Sequence, residues 1–159
     1  MKNYSTMILR LAIFSAVAIV LAICGVAVWQ AITTDATSDY YTLSYVFLLG
    51  TCLAAIPCFI ALYQSYKLLG YIDTNLAFSD LSVKALKVIR HSALVEFFIC
   101  ALGGLPFFYI VAEKEDAPGL IIIGMVIAGV AFIISVFASV LSRLFQEAAA
   151  MKSENDLTI

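Results

Sequence analysis

Apolar residues in this chain do not alternate with polar ones; they arrive in four long runs, at about residues 8–32, 43–66, 93–112 and 120–144. A helix rises ~1.5 Å per residue, so about 20 apolar residues cross a hydrocarbon layer ~30 Å thick, and each run is long enough. Inside lipid every backbone amide must be satisfied within its own segment, which makes each run a helix. The pattern predicts an all-α polytopic membrane protein, a bundle of four transmembrane helices forming one domain over residues 1–159. A cytosolic inner loop at 67–92 and a cytosolic tail at 145–159 complete it.

The polar segments have a pattern of their own. In "FSDLSVKALKVIRHSAL", Phe78 to Leu94, Ser79 suits a helix N-cap, Asp80 suits the first turn, and Phe78 can staple onto Val83. Leu81, Ala85, Val88 and Ile89 share one face, and Lys84, Lys87 and His91 share another. One helix is expected from about Asp80 to the opposite membrane face. The second helix is expected to run on to about Gly70 or Ile72. The fourth is expected to continue through "RLFQEAAAMK", which is rich in helix formers. Helices two, three and four should thus extend into the cytosol as a short platform. At the other side "EDAPGL" reads as a turn that starts the fourth helix at Pro118 and Gly119.

Small residues let helix backbones approach closely in lipid. They repeat at intervals of three and four as Gly50, Ala54, Cys58, Ala61 and Ser65 in the second run. Gly124, Ala128, Ala131, Ser135, Ser139 and Ser142 do so in the fourth, and Ser15, Ala18, Ala22 and Gly25 in the first. The third run is broken by Gly103, Gly104 and Pro106. Proline lacks an amide and clashes with the preceding turn, so a kink is expected there, either static or serving as a hinge.

Composition sharpens this picture. Of the 159 residues 64% are hydrophobic and 13% charged, against about 25% charged in soluble domains, which excludes a soluble protein. Lys2, Arg10, Lys67, Lys84, Lys87, Arg90, Arg143 and Lys152 fall on one side of the four runs and only Lys114 on the other. This positive-inside bias predicts cytoplasmic termini in a bacterial cytoplasmic membrane. Tyr and Trp near both boundaries agree with it. The first run is too long for a signal peptide and reads as an uncleaved anchor. With no basic patch interleaved with exposed aromatics, direct nucleic-acid binding is not expected.

Candidate chemistry is sparse. Cys24, Cys52, Cys58 and Cys100 all lie within the runs, without C-x-x-C pairing or metal-ligand spacing, so they read as small hydrophobes and no metal or cofactor is expected. There is one histidine and no nucleophile, zinc or phosphate-loop motif, so the chain is not expected to be an enzyme. Glu96 is the one acid inside an apolar stretch, and such a group normally has a partner. Arg143 and Arg10 should lie at similar depth, and Glu96 with Arg143 is the first pairing; it is either a proton or ligand site or a structural ion pair. The outer acids Asp35, Asp39, Glu113, Glu115 and Asp116 match no calcium-loop spacing. The basic stripe attracts anionic headgroups, as inner loops do. The tail residues Glu154, Asn155, Asp156, Leu157 and Ile159 either fray, bind a partner, or fold back onto Lys84, Lys87 or Arg90.

Three stretches, "FSDLSVKALKVIRHSAL", "AEKEDAPGLIIIG" and "KSENDLTI", carry a resemblance over nearly the whole chain. The sequence resembles the YoaS-like family of small bacterial four-helix membrane proteins, domain-of-unknown-function family 2975, departing at Ile159 where that family typically ends in Val. The resemblance transfers no catalytic or binding residue. It implies a context, because members are often encoded beside a small helix-turn-helix regulator. The leading expectation is a non-enzymatic regulatory protein that holds such a regulator through Lys84, Lys87, Arg90, His91 and the tail. The competing readings are a small transporter or channel, acting as a homo-oligomer through Glu96 and the kinked third span, and a structural subunit of a larger complex.

Overall fold

The computed structural model describes residues 2–38, 40–74 and 78–156, with side chains for 6–38, 40–74 and 78–151. Asp39, Leu157 and Ile159 lie outside the described residues, as do the side chains of Glu154, Asn155 and Asp156. The elements are α1 (Lys2–Thr33), α2 (Tyr41–Asp73), α3 (Asp80–Ile99), a π-helical turn (Cys100–Gly104), α4 (Leu105–Lys114) and α5 (Gly119–Asp156). The third span is α3, the π turn and α4 in one continuous run. Four helical segments are long and apolar enough to cross a membrane: Thr6–Thr33, Tyr41–Asp73, Asp80–Lys114 and Gly119–Met151.

Local chemistry explains the boundaries. α3 starts at Asp80, where the capping pattern puts it, but Ser79 caps through its backbone alone. Its carbonyl accepts from the amides of Ser82 and Val83 at 3.0 and 3.2 Å, while its hydroxyl is buried without a hydrogen-bond partner. Phe78 reaches beyond the expected staple, its ring meeting Phe145 of α5 edge-on at 5.4 Å. α4 ends with Asp116 at φ 50°, and the amide of Ala117 reaches back to the carbonyl of Ala112 at 3.0 Å. Aspartate is among the few side chains that visit this left-handed region readily.

The expected kink takes the form of the π turn. The Leu105 amide donates to the carbonyl of Cys100, five residues back. Pro106 has no amide to donate and its ring crowds the carbonyl four residues earlier, so the helix widens in the turn before it.

The helices pack in chain order: α1 on α2, α2 on α3, α3 on α5, with α4 also on α5. No comparable contact closes α1 onto α5 among the described residues, so the bundle is open along that side. The small-residue row of α5 is the most fully used. Gly124, Ala128, Ala131, Ser135, Ala138 and Ser142 are buried, with Ala138 where Ser139 was expected and Ser139 half-buried. A Cβ added at Gly124 would stand 2.7 Å from Cδ2 of Phe108, so this close approach requires glycine. On α2, Ala54, Cys58, Ala61 and Ser65 are half-buried and Gly50 is exposed.

α1 contradicts the expectation. Ser15, Ala18, Ala22 and Gly25 are all exposed, and the covered positions of the span include Ile13, Ala16, Val17, Val20, Cys24, Ala27 and Ala31. Small residues permit close approach without compelling it, and a helix with one neighbour covers one face only. The buried hydrophobic cluster sits at the end rich in Lys and Arg, hereafter the basic end. There Leu86 and Ile89 of α3 meet Ala138 of α5, with Leu68 of α2 and Phe145 of α5 packed against them. Elsewhere large apolar side chains such as Ile32, Leu102 and Phe137 are exposed around the outside, as lipid solvation requires.

Candidate functional site

Glu96 occupies the middle of the third span, half-buried, one turn before the π turn. Its Oε1 accepts from the Cys100 thiol at 3.9 Å, four residues along the same helix. Its Oε2 is buried and has no hydrogen-bond partner. The expected pair with Arg143 does not form. Arg143 is exposed on α5, and the other cation considered, Arg10, binds Asp73 at 2.7 Å with its guanidinium 5.7 Å from the Tyr66 ring. Similar depth does not make two side chains meet; the rotation of each helix about its axis decides that. Cys58 of α2 lies within electrostatic reach of both Glu96 and Cys24 of α1, so thiols from three spans share this neighbourhood. All four cysteines are free. Among the described residues no group of three His, Cys, Asp or Glu side chains could hold a metal ion.

The basic surface divides in two. Lys84, Lys87 and His91 are exposed along one row of α3 and line an open groove between α2 and α3, with Ile56, Pro57, Ile60, Val88 and Val95 as its apolar part. Arg90 is also exposed but lies elsewhere: consecutive helical residues stand about 100° apart, so it faces away from His91. The His91 ring is fixed by its Nδ1, which donates to the carbonyl of Lys87 at 2.7 Å and leaves Nε2 to face outwards. A second apolar groove of about 770 Å³ continues from the first towards the other end. Both are lined by Val95, and the second reaches Cys100, Gly103 and Gly104 of the π turn.

At the opposite, acidic end the carboxylates of Glu113 and Glu115 accept hydrogen bonds, and Asp35 and Asp116 take part through their backbone. The Tyr40 hydroxyl donates to Glu115 at 2.6 Å and the Tyr109 hydroxyl to Glu113 at 2.7 Å. Lys114 lies over the Tyr40 ring at 5.2 Å. Asp116 serves the left-handed helix cap, and Asp35 accepts at its backbone carbonyl from the amide of Ser38 at 2.9 Å. The four described outer acids thus do not converge on a common point where a ligand could sit.

A family profile described as "Protein of unknown function (DUF2975)" matches residues 29–159. The chain belongs to this family. It is also 43% identical, over 161 residues and the whole of both chains, to the uncharacterized membrane protein YoaS of Bacillus subtilis (strain 168). No solved structure matches. The DUF2975 chain is accordingly a membrane protein, and its site residues rest on geometry.

Two features of this DUF2975 protein were not read from its sequence. Pro57 is buried inside α2 and lines the groove beside α3. Its signal was present, a proline in the middle of an apolar run, and it removes one backbone hydrogen bond where the groove passes. Asp73 as the partner of Arg10 had no such signal, because 63 residues separate the two and only the packing of α1 on α2 joins them.

Proposed function

We propose that this protein is a non-enzymatic regulatory component of the bacterial cytoplasmic membrane, with both termini cytoplasmic, that holds a small helix-turn-helix regulator at its basic end. The observation that carries this reading is the apolar cluster of Leu86, Ile89, Ala138, Leu68 and Phe145, which ties α2, α3 and α5 together at that end. It supplies a rigid base from which the first turns of α3 and the last turns of α5 project. Leu81 and Arg90 stand exposed on that base, and the distribution of Lys and Arg supports its cytoplasmic orientation. In this reading the tail is part of the contact, Leu157 and Ile159 adding to a sheet edge of the regulator or entering a backbone nest on it.

Co-purification with a small helix-turn-helix regulator of the kind often encoded beside members of this family tests this. The full chain is expected to retain it from solubilised membranes and a chain lacking residues 151–159 to lose it. Undiminished retention after truncation removes the tail as the handle, and loss of retention in Arg90→Glu alone would move the contact to α3.

One observation favours a second reading, transport or conduction through the third span. The unpartnered buried oxygen of Glu96 lies beside the π turn, and an intramembrane ionisable group of this kind marks ion pathways in other membrane proteins. Liposome flux that vanishes in Glu96→Gln supports it, whereas no flux under any imposed gradient rules it out.

A further inference from the structure

The groove between α2 and α3 combines an apolar floor with a cationic end, and the regulator reading uses only the cations. Its apolar part, lined by Ile56, Ile60, Val88 and Val95, adjoins a second apolar hollow that reaches the π turn, with Val95 lining both. Its charge lies at one end and has one sign. Lys84, Lys87 and His91 line that end, and the groove lining includes no carboxylate in this half. Neither Lys84 nor Lys87 has a carboxylate partner among the described residues, where the one ion pair is Arg10 with Asp73. The nearest acid on α3 is Asp80, a turn before Lys84. On α2 the row Ile56, Ile60 continues at helical spacing through Tyr63 to Lys67, whose ammonium lies 5.4 Å from the Tyr63 ring. Lys67 is thus the cation of α2 on the row that continues past the groove's lining.

We propose that this groove is a binding site for an anionic phospholipid. The headgroup phosphate sits between Lys84 and Lys87, with Nε2 of His91 at its edge and Lys67 across the mouth. One acyl chain lies along Val88 and Val95 towards Gly103. The dimensions fit. From Lys87 to Gly103 the helix axis runs about 24 Å, more than the roughly 15 Å of hydrocarbon in one leaflet. The cations stand where an apolar run gives way to a polar segment, which is where headgroup phosphates lie and where long basic side chains extend to meet them. A second copy of this chain would have to bring acids to the mouth. A phospholipid brings both the charge and the chain that the groove matches. This proposal does not depend on regulator binding, and its readout contains no regulator.

The full chain, reconstituted with equal amounts of phosphatidylglycerol and phosphatidylcholine of the same acyl composition and re-extracted in detergent, is weighed intact with its retained lipid. Phosphatidylglycerol is expected to be retained in preference, with retention falling about fivefold for each lysine removed in Lys84→Gln and Lys87→Gln. Val95→Trp, which fills the groove and leaves the charges, is expected to abolish retention. Arg143→Gln, a cation on α5 away from the groove, is expected to leave it unchanged. Excess inorganic phosphate, which has the charge without the chain, should not displace the lipid. Variants are compared only where circular dichroism and gel filtration match the parent chain. Equal retention of the two lipids, full retention in the double lysine variant, or an equal loss in Arg143→Gln overturns the site. So does cross-linking of a second copy through position 88 or 95 in the absence of lipid.

Discussion

The two ends of this helical protein are held by different chemistry. At the basic end three helices share an apolar cluster, and a ring contact between Phe78 and Phe145 adds to it. At the acidic end the hydrogen bonds are hydroxyl to carboxylate or hydroxyl to hydroxyl, Tyr40 with Glu115, Tyr109 with Glu113, and Thr34 with Ser44 at 3.0 Å, beside the stacked rings of Phe47 and Phe107 and the close approach of Gly124 to Phe108. The hydrogen-bonding partners are mostly exposed, and water competes for hydrogen bonds of that kind. Buried side-chain packing is lost outright when an atom is removed, whereas an exposed hydrogen bond is largely replaced by one to water. The comparison teaches that one apolar cluster ties three helices together at the basic end, whereas at the acidic end the apolar packing is pairwise and exposed hydrogen bonds add to it.

Four substitutions probe that difference. Leu86→Ala, in the shared cluster, is expected to cost about 2–4 kcal/mol through the cavity it leaves, read as a lowered midpoint of unfolding in detergent; an effect no larger than that of an exposed alanine substitution would deny the cluster its role. Gly124→Ala comes next, at about 1–3 kcal/mol, because the added Cβ meets the Phe108 ring and α4 must move off α5. Its structural signature is cysteine cross-linking between α4 and α5 that weakens while cross-linking between α2 and α3 at the basic end stays the same. Tyr40→Phe is smaller, at most about 1 kcal/mol, since it removes one exposed hydrogen bond to Glu115. Asp73→Asn, which breaks the exposed pair with Arg10 at the basic end, should fall in the same small range. A large loss for Tyr40→Phe would invert the comparison.

Much of the fold was legible because its causes are local. The number and length of the spans follow from apolar runs measured against a hydrocarbon thickness. The start of α3 at Asp80 and of α5 at Gly119 follow from capping and turn chemistry within a few residues. The α5 row was legible for a related reason: Gly124, Ala128, Ala131 and Ser135 are the residues over which another backbone can come close, and two neighbouring segments do. The same reasoning failed on α1. Its row Ser15, Ala18, Ala22 and Gly25 is as regular, yet nothing packs there, because the chain supplies α1 with one neighbour and that neighbour lies on another face.

The candidate site was legible in its ingredients more than in its arrangement. Glu96 stood out as an acid among apolar residues, and Lys84, Lys87 and His91 as one stripe. That Glu96 turns to Cys100 while Arg143 stays exposed, and that Arg10 finds Asp73, are outcomes of helix rotation and offset. By itself the sequence determined an all-α membrane protein with four spans and their charge polarity, since length and hydropathy act within single segments. The tertiary structure alone decided which rows are covered, which ions pair, and that Pro57 and the π turn line two adjoining hollows. Those depend on the relative rotation of helices far apart in the chain, which no local pattern of residues encodes.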